Sequence, residues 1–300
     1  MDPAEFLRAS RVVIVAGKGG VGKTTVTAAL ARRAAQAGLT ALVVELEGRS
    51  GLPELFGRPA LTYEPSVLVP AAAGGGEVRG RTLTPDDALH EYLEDHGLRR
   101  VSKRLIASGA MDVVATAAPG IRDILVLGKV KQLERAEVAD VLLIDAPAAG
   151  HAITFLLSAR GLLDAVRVGP VHTQAADVLE LLTDPARCTV VLVTLPEETP
   201  VNELVETAFA LEDRVGVSLG PVVVNGLYRP IEGLDIDPGD EPDADALRAA
   251  AAFRRARTEQ QEEQVARLAD RLPLPQWHLP FLFEADLGPA HVDELAEALG

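Results

Sequence analysis

Cysteine is almost absent: the 300-residue chain has one, Cys188. No disulfide framework is possible within it, which fits a reducing compartment. Four-cysteine and two-cysteine–two-histidine zinc sites are likewise excluded, and no zinc is expected. Methionine is nearly as scarce, with two residues. Long apolar runs are missing, so neither a spanning helix nor stable membrane insertion is expected. Residues 1–10 carry Asp2, Glu5 and Arg8 without an apolar stretch. No secretory leader is expected there, and a cytoplasmic location follows. Positive charge is also deficient. Lys and Arg total 29 against 44 Asp and Glu, a formal net charge of −15. The chain therefore lacks the basic face that a general nucleic-acid binder needs, although one local cationic site is allowed.

What is present is globular: 48% of residues are hydrophobic and 24% charged. That length and composition can build a sizeable core. Apolar runs rich in β-branched residues recur at Val12–Val15, Leu42–Val44, Val141–Ile144, Val190–Val193 and Val222–Val224. None alternates with polar residues. Strands apolar on both faces belong in a parallel sheet covered by helices on both sides. Their alternation with helical stretches predicts a doubly wound α/β fold, whose ligands sit beyond the carboxyl ends of the strands.

One domain over 1–300 is expected. Within it, 85–136 reads as a helical insertion broken near Pro119-Gly120, opened by Thr84 as N-cap, Pro85 at N1 and acids in the first turn. Ala73-Gly74-Gly75-Gly76 reads as a turn or hairpin tip. Residues 232–245 are acidic and contain Pro and Gly, the pattern of a mobile loop, with a long polar-faced helix after them.

The segment Gly17-Lys18-Gly19-Gly20-Val21-Gly22-Lys23-Thr24-Thr25 joins the first strand to a helix. It satisfies the glycine-rich phosphate-loop pattern in the context that pattern requires. Glycines let backbone N–H groups of Gly19, Gly20, Val21 and Gly22 converge on phosphate oxygens. The helix N-terminus at Lys23, Thr24 and Thr25 adds free N–H groups and a positive dipole end. Lys23 is placed for the β- and γ-phosphates of ATP, and the Thr24 hydroxyl for Mg²⁺. The same glycines also fit a dinucleotide fingerprint, with Glu45 or Glu47 at the ribose position. The Lys23-Thr24 pair favours the triphosphate, because a dinucleotide loop needs neither. Lys18 is unusual, since the loop needs no second lysine to hold phosphate from within.

On these residues the chain resembles the deviant Walker A ATPases, the group of MinD, ParA, the nitrogenase iron protein and the arsenite-pump/tail-anchored-protein-targeting (ArsA/Get) ATPases. Three further segments resemble the ArsA/Get branch: Asp145-Ala146-Pro147-Ala148-Ala149-Gly150-His151 as switch II, Ala118-Pro119-Gly120-Ile121, and Asn225 after Val222–Val224. The resemblance implies a Mg²⁺-dependent dimeric ATPase with catalytic residues Lys18, Glu47 and Asp145. Lys18 would reach the partner subunit's phosphates, Asp145 would hold Mg²⁺, Asn225 would read adenine, and Pro280-Phe281 would line it. The alternative to the metal role of Asp145 is a helix N-cap, and without the resemblance Asn225 reads as a loop former.

Departures narrow the reading. Glu47-Gly48-Arg49-Ser50 stands where the family has an Asp-Pro-Ala-His switch I. A glutamate in place of the water-positioning aspartate shifts the carboxylate, which implies slow turnover or an ATP-gated interaction module with vestigial hydrolysis. Partners implied are ATP and ADP, a second copy or a related subunit in a heterodimer, and an unidentified protein client. The scarcity of Met and Cys disfavours the eukaryotic targeting type and thiolate sensing of arsenite. A MinD/ParA-like partitioning role is disfavoured by the acidic C-terminal segment 290–299.

Overall fold

A computed structural model describes residues 1–46, 51–95, 120–239 and 242–299. The expected strands form where the apolar runs lie. They are β1 (Val12–Gly17), β2 (Ala41–Leu46), β5 (Val141–Ala148), β6 (Cys188–Thr194) and β7 (Ser218–Leu227). Three more complete the sheet: β3 (Ser66–Val69), β4 (Val78–Leu83) and β8 (Gln276–Pro280). Among the described residues the order is β3-β4-β2-β5-β1-β6-β7-β8. All neighbours are parallel except β3 and β4, an antiparallel hairpin. The glycine run lies in the connection of that hairpin, as expected.

Ten helices are described: α1 (Pro3–Ala9), α2 (Lys23–Gln36), α3 (Leu52–Leu55), α4 (Pro85–Asp95) and α5 (Ile121–Arg135), then α6 (Ala149–Ala165), α7 (Pro170–Thr183), α8 (Glu198–Arg214), α9 (Ala244–Arg271) and α10 (Pro289–Ala298). Period-two geometry sends alternate side chains of each strand to opposite faces. Val12, Ile14, Leu42, Val44, Leu142 and Ile144 join the core under α5 to α9. Val13, Val15, Val43, Leu143 and Val193 join a second core under α1, α2 and α10. This two-sided burial is the physical reason that the strands read as unbroken apolar runs.

Strand β4 (Val-Arg-Gly-Arg-Thr-Leu) escaped the sequence reading because it carries two arginines. Arg81 is nonetheless buried, its guanidinium 4.3 Å from the centre of the Tyr63 ring. A cation over an aromatic face tolerates burial that a bare charge does not.

In the segment expected as a helical insertion, α4 starts as the caps predict: the Thr84 hydroxyl accepts from the Asp87 N–H at 3.2 Å. Gly120 sits at the N-cap of α5, matching the expected break. Residues 96–119 lie outside the described ones, as do Glu47 and Arg49 of switch I. In the acidic segment, 232–239 form neither helix nor strand, and α9 begins at Ala244, before the expected end of the loop. Arg248 binds Asp237 at 2.9 Å and Arg255 binds Asp235 at 3.4 Å, fastening the near half of the loop to α9.

Trp277 packs inside the fold. It is 6% exposed. Its ring lies edge-on to Phe6 at 5.2 Å, and its Nε1 donates to the Met1 carbonyl at 3.0 Å.

Candidate functional site

The loop after β1 emerges between β5 and β6, at the carboxyl ends of the parallel strands. This is where a doubly wound sheet changes winding direction and opens a crevice. The first turn of α2 follows at once, so its unpaired N–H groups face that crevice.

The odd-numbered residues of β1, β2 and β5 face α2. Asp145 therefore points towards the helix that carries Thr24, and the two meet: the Thr24 hydroxyl donates to Asp145 Oδ2 at 2.7 Å. Asp145 is 5% exposed and lies within β5, ahead of α6, so the N-cap alternative fails. A hydroxyl and a carboxylate are hard oxygen donors. A pair of them beside a phosphate site suits Mg²⁺, which takes one or two protein oxygens and fills its remaining positions with phosphate and water.

Lys23 folds back over the loop, its Nζ donating to the Lys18 carbonyl at 2.9 Å. Burial lowers its pKa from the usual lysine value, and the negative charge of Asp145 works against that shift. A partly desolvated ammonium beside free N–H groups is an electrostatic deficit that a polyphosphate answers.

Gly22 opens α2 with φ +88°, and a Cβ there would sit 2.3 Å from Asn225 Nδ2. Only glycine fits both the left-handed backbone and that close approach. Asn225, expected to read adenine, donates its amide to the Val21 carbonyl at 2.9 Å. It thus braces the phosphate loop from β7. Asn225→Asp removes the donor and sets a carboxylate against a carbonyl and beside incoming phosphates. ATP affinity is expected to fall about tenfold or more, and Asn225→Ala less, because it adds no charge. Calorimetric titration with ATP reads both, and wild-type affinity in the Asp variant would refute the brace.

Pro280 ends β8, and the Phe281 N–H donates to the Leu227 carbonyl at 2.7 Å. Phe281 lies 5.5 Å from Tyr228 and 4.8 Å from Phe283, ring centre to ring centre. Arg254 of α9 caps this cluster, 4.1 Å above Tyr228. The cluster borders a groove of about 920 Å³ between residues 228–238 and α9. Tyr228, Phe283 and Arg254 were not foreseen. Tyr228 follows Asn225 by three positions, but Arg254 lies inside a polar helix with no local signal.

Lys18 points away from its own loop, and its ammonium pairs with Glu203 of α8. The structure thus brings together Lys18, the loop residues 19–22, Lys23, Thr24, Asp145 and Asn225. Thr25 lies one position further into α2. Pro280 and Phe281 stand at the end of β8, three strands from β1. Glu47 and the side chains of 148–151, in the segment resembling switch II, lie outside what the structure describes. Glu45 is 2% exposed and accepts from the Thr82 hydroxyl at 2.9 Å. It is therefore committed inside the fold, which removes Glu45, though not Glu47, as the acid a dinucleotide reading would place on a ribose.

Comparison with known proteins agrees with this geometry. Residues 10–168 match the model of the family described as anion-transporting ATPase. Over 318 residues the chain is 33% identical to the ATPase BagA of Mycobacterium tuberculosis, covering 96% of this chain and 92% of that protein. A Halobacterium salinarum protein assigned as an arsenical pump-driving ATPase is 27% identical, over 96% of this chain but 44% of its own length. The ATPase get3 of Schizosaccharomyces japonicus is 27% identical over 144 residues, 48% of this chain and 42% of that protein. Among the described residues no helix is long and apolar enough to cross a membrane.

Proposed function

The chain belongs to the anion-transporting (ArsA/Get) ATPase family, and from that premise we propose that it is a Mg²⁺-dependent dimeric switch in which Lys18 completes the partner's site. The observation that carries this reading is the Thr24–Asp145 contact at the N-terminus of α2, with the half-desolvated Lys23 beside it. In it, the N–H groups of residues 19–25 cradle the phosphates and Lys23 neutralises the β- and γ-oxygens. Thr24 and Asp145 would hold Mg²⁺, which when bound supplies charge neutralisation on the transferring phosphoryl group. Asn225 keeps the loop in shape, and the aromatic end of β8 faces the base.

Two findings support pairing. Lys18 is not engaged with its own loop. A relative matched over only 44% of its length has room for two such units in one chain. A lysine acting in trans makes hydrolysis conditional on closure, because the monomer lacks one group that stabilises the transition state. The dimer then reports the γ-phosphate to the helical segments around α4 and α5, where a client would read it.

Glu47 in place of the family's aspartate favours slow turnover. It equally favours a second reading, in which dimerisation rather than hydrolysis is the output, including in a heterodimer whose other subunit carries the aspartate. Sedimentation with ADP and with a hydrolysis-resistant ATP analogue tests the proposal. Wild type is expected to dimerise only with the analogue, and Lys18→Ala to stay monomeric while retaining ATP affinity. A wild type monomeric under both nucleotides overturns the homodimeric mechanism. Phosphate release then separates the two readings, since the interaction module shows none above background.

A further inference from the structure

The lysine that must cross to a partner is already occupied. Lys18 Nζ pairs with Glu203 Oε1, a residue 185 positions away on α8. The contact is half-sheltered, with the Lys18 side chain 47% and the Glu203 side chain 35% exposed. The second oxygen, Glu203 Oε2, is buried and has no hydrogen-bond partner among the described residues. Glu203 itself is fixed by its helix: the Thr207 hydroxyl donates to its carbonyl at 2.7 Å, one turn on. A carboxylate with one desolvated oxygen and one cation depends on that cation for its charge balance.

We propose that Glu203 is a positioning residue that holds Lys18 against its own α8 in the monomer, so that dimer closure must break one such pair in each subunit. The proposal rests on the reading that Lys18 acts in trans, and deepens it by naming what restrains the lysine before closure. In the free chain the lysine is held on its own α8. The partner's polyphosphate, with several negative charges, then competes for it against a single carboxylate. ATP outcompetes Glu203 more readily than ADP, because the γ-phosphate adds charge where the lysine arrives. The pair therefore widens the difference between the two nucleotide states and keeps the nucleotide-free chain from pairing.

The test uses the full-length protein with the hydrolysis-resistant ATP analogue. Glu203→Gln keeps the shape and an acceptor but removes the charge. A pair this exposed shifts an equilibrium by up to about fivefold, and two are broken per dimer, so the dimer Kd is expected to fall by up to about 25-fold. Turnover per chain is expected to rise at protein concentrations below the dimer Kd and to equal wild type when dimer is saturated. A merely structural role would not produce that split. Glu203→Asp keeps the charge on a shorter stem, within reach of a flexible lysine, and is expected to restore wild-type behaviour. An unchanged or weaker dimer in Glu203→Gln, with wild type dimerising and Lys18→Ala not, overturns this inference alone. No analogue-dependent dimer in wild type overturns it together with the reading on which it rests.

Discussion

Lys23→Ala is expected to abolish measurable phosphate release and to weaken ATP binding, by at least about 100-fold in kcat/KM. The reason lies in the electrostatics of the loop rather than in its shape. Lys23 reaches back to the Lys18 carbonyl across the crevice, and its ammonium has lost part of its water. Truncation removes the ammonium that, among the described residues, folds back over the loop proposed to hold the phosphates. The N–H groups of the first turn of α2 remain, so weak phosphate affinity persists. Folding should be undisturbed, because a half-buried charge with a lowered pKa contributes little to the stability of the apo chain. A Lys23→Ala protein that unfolds like wild type but releases phosphate at the wild-type rate would remove the triphosphate site from residues 17–25.

Gly76→Ala is expected to give the largest loss of stability, with no direct effect on chemistry. A Cβ at Gly76 would lie 1.7 Å from the Leu39 carbonyl oxygen and 2.3 Å from its carbon. Both are backbone atoms of the connection between α2 and β2, and they cannot rotate away. The Gly76 N–H also donates to the Ala35 carbonyl at 2.8 Å, so the hairpin tip and the end of α2 are hydrogen-bonded where the methyl would intrude. Overpacking against backbone costs on the order of 3 kcal/mol or more. For a chain of this size that corresponds to a fall of roughly 5–10 °C in Tm. Gly161→Ala is the control, since a methyl there meets nothing within 4 Å and lies in α6. Scanning calorimetry of both variants checks the contrast, and equal melting temperatures would show that the β3–β4 connection yields easily.

The parts of this molecule that were readable in the sequence are those encoded locally. Unbroken apolar runs announced β1, β2, β5, β6 and β7, because each is buried on two faces. The phosphate loop was readable because strand, glycines, lysine and threonine are contiguous. Asp145 was singled out by the resemblance of Asp145–His151 to a switch II segment, and the structure adds its partner, Thr24. What depended on distant contacts was hidden. Strand β4 looks polar until Tyr63 covers Arg81. Asn225 was singled out by the resemblance for a role toward the base, and the bond from its amide to the Val21 carbonyl, 204 positions away, had no local signal. Glu203 and Arg254 sit on helices rich in charge, where no spacing distinguishes a carboxylate that meets Lys18 from its solvated neighbours.

The position of Trp277 has a practical corollary. It is the sole indole of the chain. It is clasped between Phe6 and the Met1 carbonyl, in a strand that ends at Pro280, just before Phe281. Intrinsic tryptophan fluorescence from this protein therefore has a single emitter, shielded from water in the native state. That emitter joins the amino-terminal helix to the edge strand leading into the aromatic cluster, so undocking of the first helix would register optically without any label.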